Sequence, residues 1–133
     1  MLESTTGKGT DVPVPNAGAG AFEVAVTWHD DVVILGVTGA LDMMTAPQLT
    51  ESILTSLTNS PRSVVVDLTG VEFLASAGMT VLVAANEEVA DKARFGVVAD
   101  GPATGRPMRL VGVDEALTIY QTLTEALDDL ATR

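Results

Sequence analysis

One serine carries most of the chemical options of this chain. Ser76 stands in the run VVVDLTGVEFLASAGM from Val64 to Met79, where an apolar strand pattern gives way to a short loop and then to helical spacing. A hydroxyl delivered to the first residue of a helix can do three things. It can cap the helix by accepting a bond from an unpaired backbone N–H. It can attack a substrate as a nucleophile. It can accept a phosphate, which the partial positive charge and free N–H groups of a helix N-terminus tolerate.

The nucleophile option is poorly supported by the surrounding residues. A hydrolase elbow reads Gly-x-Ser-x-Gly between strand and helix. Here Gly78 is present, but Leu74 stands where the first glycine would be. Acyl transfer also needs a base, and His29, the only histidine, falls in an expected turn far from Ser76 in sequence. A phosphate on Ser76 would add about −1.5 to −2 units of charge. Small neighbours at Ala75, Ala77 and Gly78 would let a partner approach closely, and the added bulk and charge would then block it.

The elements that must position Ser76 are legible as periods. Phe22, Val24, Val26 and Trp28 alternate with polar or small residues, and Val32 to Val37 is nearly all apolar. These read as a hairpin across His29-Asp30-Asp31, with Trp28 in the core. Gly39 to Met44 forms a loop. Thr45 and Gln48 then have capping-box spacing ahead of a helix carrying Leu49, Ile53, Leu54 and Leu57. Val64 to Leu68 reads as a short buried strand, and Ser76 to Ala93 as a helix. Phe95 to Ala99 reads as a strand, and Asp100 to Pro107 as a Gly/Pro loop. Met108 to Val111 reads as a last short strand and Asp114 to Tyr120 as a helical turn. A final helix is announced by the capping-box pair Thr122 and Glu125. Strands alternating with helices imply an α/β domain: a mixed sheet of four to five strands with helices mainly on one face. Residues 1–20 show neither period and read as a disordered tail before a single domain over 21–133.

Composition narrows the function classes. The formal charge is −11, from 18 acidic and 7 basic side chains, and the basic residues are scattered. That argues against nucleic acid and anionic membrane as direct ligands and favours a basic protein partner. There is no cysteine, so thiolate metal and redox chemistry are excluded. No apolar run approaches the roughly 18 residues of a membrane helix, and no secretory pattern opens the chain. A cytoplasmic location is the expectation. Asp67 shows no paired acid, so a turn-forming role is expected there. Asp42 reads as a loop residue bonding its own backbone. Met43 and Met44 read either as core filler or, given their place in the loop, as adaptable contact residues beside it.

The segment from Val65 to Met79 resembles the signature of STAS domains, specifically the bacterial anti-sigma factor antagonists. The run Gly39-Ala-Leu-Asp-Met-Met-Thr-Ala-Pro-Gln-Leu is similar to that family's other loop, and the element order matches from about residue 21 to 130. The resemblance implies a regulatory binding protein with no catalysis and no cofactor of its own. Its partner would be an anti-sigma factor that is also a serine kinase, with ATP belonging to that partner. Binding would release a sigma factor, as in a bacterial stress response. Phosphorylation of Ser76 would abolish binding, and a serine phosphatase would restore it. The implied contact surface comprises Asp42, Met43, Met44, Thr45, Ala75, Ala77, Gly78 and Met79. Many family members have an acid where this chain has Ala75 and a hydroxyl where it has Ala77, which leaves Ser76 as the only acceptor in its loop. A subunit of a stressosome-like or transporter assembly is the neighbouring alternative, and a serine hydrolase the enzymatic one. Whether an exposed sheet edge pairs two copies into a homodimer is left open by the sequence.

Overall fold

The computed structural model describes residues 22–130; the expected tail lies outside them. Strands β1 (Glu23–His29) and β2 (Val32–Leu41) form the expected antiparallel hairpin. Its turn carries Asp30 at φ 57°, a left-handed conformation that a short polar side chain tolerates. Helix α1 (Ala46–Leu57) follows, then β3 (Ser63–Leu74), α2 (Ser76–Val89) and β4 (Arg94–Val98). Helix α3 (Gly105–Leu110), a 3-10 turn (Val113–Glu115), β5 (Ile119–Tyr120) and α4 (Leu123–Leu130) complete the order.

The five strands lie in sequence order, β1-β2-β3-β4-β5, with β2 to β5 mutually parallel. Parallel neighbours need crossovers that bury both sheet faces, and this explains the unbroken apolar runs of β2 and β3. Val33, Leu35, Val37, Val64 and Val66 meet Leu49, Ile53 and Leu82 of α1 and α2 on one face. Val32, Val65 and Val98 meet Ala126 and Leu130 of α4 on the other. The α/β class and the mixed sheet are as expected, with α4 alone packed against the second face. Among the described residues no helix is long and apolar enough to cross a membrane.

Four local expectations are corrected. First, β3 does not stop at Leu68 but runs to Leu74. The Asp-Leu-Thr-Gly stretch looks like a turn, yet it is an irregularity within the strand, where the register against β2 shifts between Gly36 and Thr38. Asp67 Oδ1 accepts from the Thr69 N–H at 3.0 Å and from the Thr69 hydroxyl. A side chain at Gly70 would meet the Thr38 methyl at 2.7 Å.

Second, Met108 to Val111 is not a strand. Met108 is fully buried on α3, whose Gly105 lies so close to the backbone of Ala99 and Asp100 that a Cβ would sit 2.8 Å from the Asp100 Cα. Close packing there folds the Gly/Pro segment into a helical turn. Third, the helical turn expected through Tyr120 stops at Glu115, and the last strand is Ile119–Tyr120, paired with Val97 and Val98. Fourth, Trp28 is not in the core. It lies on the edge strand, on the face that α1 only partly covers, and remains 43% exposed.

The Trp28 correction has a measurable consequence. Leu35→Ala, at a fully buried position, should cost about 2–5 kcal/mol in urea unfolding. Trp28→Ala should cost less, despite the larger side chain. A Trp28→Ala loss in the ~3–5 kcal/mol range of a buried aromatic would return Trp28 to the core.

Candidate functional site

The site begins where β2 and β3 end. These parallel strands finish in register at the pair Leu41–Leu74. The next residue of each chain segment opens a loop, Asp42 on one side and Ala75 on the other. The Ala75 N–H donates to the Leu41 carbonyl at 2.9 Å and so fastens the two loops together. Two segments more than thirty residues apart in sequence therefore share one end of the sheet.

Helix α2 starts immediately. The Ala75 carbonyl accepts from the N–H groups of Gly78 and Met79 at 2.9 and 3.2 Å, which makes Ala75 the N-cap and Ser76 the first helical residue. The capping role considered for the Ser76 hydroxyl is therefore not taken up. The helix has already begun one residue earlier, and Ala75 has no side chain that can cap it. Ser76 is exposed, and its hydroxyl forms no hydrogen bond with the described residues. It sits beside the uncapped first turn, where N–H groups lack intrahelical partners and the helix dipole is positive.

Gly78 sets how closely α2 approaches the strand ends. A Cβ on Gly78 would lie 2.8 Å from Leu41 Cγ, 2.9 Å from the Leu41 carbonyl oxygen and 2.9 Å from Leu74 Cδ1. Gly78 and Met79 are both buried, so they place the surface rather than form its outer layer. Ala75 and Ala77 are half-buried around Ser76.

The other loop is held by its own polar groups. Asp42 Oδ1 accepts from the N–H groups of Met44 (2.9 Å) and Thr45 (3.1 Å). The Thr45 hydroxyl accepts from the Asp42 N–H at 2.9 Å and donates to the Ala40 carbonyl at 2.8 Å. The capping box expected from Thr45 and Gln48 does not form. Thr45 occupies the N-cap position of α1, but its hydroxyl turns back into the loop, and Pro47 fills the first turn. This polar knot forces Met43 and Met44 outward, where they are 74% and 78% exposed.

Phe73, 57% exposed at the end of β3, adds to the same end of the sheet, as its pairing with Ala40 shows. The sequence reading missed it. Alternation from Val71 and Glu72 would turn Phe73 inward, so no sequence signal marks it; the fold leaves Glu72 and Phe73 both exposed between buried Val71 and Leu74. Two shallow apolar grooves flank α2. One lies against α1 and is lined by Met43, Ala46, Pro47, Leu54, Ala77 and Val81. The other is lined by Ser76, Met79, Thr80, Val83, Val111 and Val113.

The arrangement suits binding more than covalent catalysis. His29 lies at the end of β1 that abuts the start of β2, opposite the end where Ser76 sits. No cluster of three acidic or imidazole groups among the described residues could hold a metal.

Comparison with known proteins agrees with this geometry. Residues 23–126 match the model of the STAS domain. The anti-sigma-F factor antagonist RsfB of Mycobacterium tuberculosis is 39% identical over 107 residues, covering 80% of this chain and 88% of RsfB. The crystal structure of an anti-sigma factor antagonist from Mycobacterium paratuberculosis superposes with a TM-score of 0.79 at 39% identity, covering 90% of this chain and 99% of that one. The anti-sigma factor antagonist SpoIIAA in its unphosphorylated form shares the fold at 18% identity, with a TM-score of 0.66 and coverage of 85% and 98%.

Gly78 provides the test of the site's construction. An alanine in an ordinary helix interior gains up to ~1 kcal/mol over glycine. Gly78→Ala should instead destabilise by about 1–3 kcal/mol, because the new methyl strikes the Leu41 carbonyl. Denaturant unfolding that shows stabilisation would mean α2 can move away from the strand ends at no cost.

Proposed function

This chain belongs to the STAS domain family and is an anti-sigma factor antagonist; we propose that its partner is a kinase-type anti-sigma factor and that phosphorylation of Ser76 ends their binding. The observation that carries this reading is the fastening of the two loops at Leu41–Leu74, with the Ala75 N–H on the Leu41 carbonyl. It supports the reading because the loop with the exposed, unengaged Ser76 hydroxyl and the loop with exposed Met43 and Met44 share one end of the sheet.

In the unphosphorylated state that surface is mostly apolar, with small residues around Ser76 and with Glu51 and Glu87 at the flanking grooves. A partner can bury it at little desolvation cost, and methionines adapt to the shape presented. A phosphate on Ser76 changes the terms in two ways. The free N–H groups and dipole of α2 accommodate the dianion without unfolding the helix. Docking must then bury that charge, and a charge left unpaired in an interface costs several kcal/mol. The switch thus acts on the interface and leaves the fold intact. The domain supplies no catalysis of its own; the kinase activity and its ATP belong to the anti-sigma factor, and a separate serine phosphatase reverses the modification.

Asp42 serves this surface as its support, since its carboxylate holds the loop that projects Met43 and Met44. Asp42→Ala should leave the domain folded and weaken partner binding by roughly tenfold, about 1.4 kcal/mol. Asp42→Asn keeps the Oδ1 acceptor and should retain most of the affinity. Equal binding by the wild type and Asp42→Ala would remove the loop from the site.

The Ser76 series tests the switch by titration against the cognate anti-sigma factor. Ser76→Ala should bind as tightly as the unphosphorylated wild type and resist inactivation by ATP. Ser76→Glu should bind about 2 kcal/mol or more weakly. Equal affinities for the wild type, Ser76→Ala and Ser76→Glu would contradict the proposal.

A further inference from the structure

Among the described residues the sheet has one long unpaired edge, whose sequence is self-complementary about Val26. Strand β1 lies outermost, seven residues from Glu23 to His29, and matches β2 residue for residue with no bulge. The opposite edge, β5, is only two residues long. Long edges are normally blunted by lysine, proline or a bulge. Strand β1 has none of these. On its α1 face it carries Val26 and Trp28, 47% and 43% exposed.

We propose that a second copy of this chain pairs with β1 antiparallel across a two-fold axis through Val26, joining two sheets into one of ten strands. The register follows from the residues. With Val26 opposite its own copy, Val24 faces the partner's Trp28 and Ala25 the partner's Thr27, and Glu23 faces the partner's His29. Directly opposed residues share a face. Val24, Val26 and Trp28 of both copies therefore form one apolar stripe on the α1 face, ending in two Trp–Val pairs. On the α4 face, each Glu23 carboxylate stands opposite an imidazole, whose ring N–H can donate to it, and the symmetry forms this pair twice. Shifting the register by one residue would oppose the apolar stripe of one copy to the Ala25–Thr27 face of the other. Shifting by two would shorten the overlap and separate Glu23 from His29.

Each copy carries a formal charge of −11, which opposes association. The edge itself bears little of it. Within β1 only Glu23 is acidic; in the adjoining turn Asp31 is engaged by Arg62 at 3.2 Å, and exposed Asp30 lies 4.0 Å from the His29 imidazole. The pairing also leaves the Ser76 surface free. That surface lies at the C-terminal ends of β2 and β3, beside the start of β1. The antiparallel axis therefore puts the two copies' sites at opposite ends of the joined sheet. The dimer would present two independent docking surfaces.

Sedimentation velocity of the full chain from micromolar to millimolar concentration should show a monomer–dimer equilibrium. Val26→Lys opposes two lysines at the axis and should weaken dimerisation by roughly tenfold or more, with circular dichroism unchanged. The chain has no cysteine, so Val26→Cys isolates the geometry. Opposed Cβ atoms about 5 Å apart should form an intermolecular disulfide under mild oxidation. Glu23→Cys would stand about 20 Å from its copy at ~3.4 Å per residue, and should not. A wild type that stays monomeric throughout, or crosslinking as efficient at Glu23→Cys as at Val26→Cys, would overturn the proposal. The first outcome would leave the edge to another protein's strand. None of these results depends on the Ser76 switch.

Discussion

The structure depends on one constraint: β2 and β3 must end together, and α2 must begin against that end. The parallel register that closes at Leu41–Leu74 is held by close packing on both sheet faces, against α1 and α2 on one and α4 on the other. The Ala75 N–H on the Leu41 carbonyl and the missing side chain of Gly78 then leave α2 one place to start. Everything said of the site follows. Ser76 is exposed because the helix begins at Ala75, and the Asp42 loop lies alongside because Leu41 is Leu74's neighbour.

The polar groups at this end divide their work. Asp42 and Thr45 satisfy each other and the loop backbone, so the loop keeps its shape without help from the core. The Ser76 hydroxyl satisfies nothing in the described structure. A side chain that supports no local bond can be modified without a folding penalty, which is the property a reversible switch needs. Met43, Met44 and Phe73, at the same end of the sheet, are left exposed by the described residues. Exposed apolar groups on a loop at the same sheet end as an unengaged hydroxyl are what the proposed docking surface requires.

Much of this was legible in the sequence where a period or a motif spoke for itself. The hairpin, α1, α2 and the final capped helix follow from alternation, apolar spacing and the Thr122–Glu125 pair, whose hydroxyl does accept the Glu125 N–H at 3.1 Å. The two loop motifs single out Asp42 and Ser76, whose loops the fold brings to one end of the sheet. The failures share a cause: long-range packing overrode a local signal. Asp67 to Gly70 has turn chemistry but bridges an irregular stretch between two paired strands. Met108 has strand-like neighbours but is drawn into the core by the close approach at Gly105. Trp28 alternates like a core residue, yet strand order places it on the edge. Phe73 went unnoticed because its importance comes from which strand end lies next to it.

The central claim is that one phosphate on Ser76 changes binding without changing the fold. The most direct measurement is a calorimetric titration of the anti-sigma factor with wild-type protein before and after phosphorylation, with the phosphate mapped to Ser76 by mass spectrometry and the fold checked by amide hydrogen exchange. The account predicts strong binding before, loss of binding after, and the same exchange protection in the strands and in α2 in both forms. Undiminished binding by the phosphorylated protein, or a loss of binding accompanied by unfolding of α2, would contradict it.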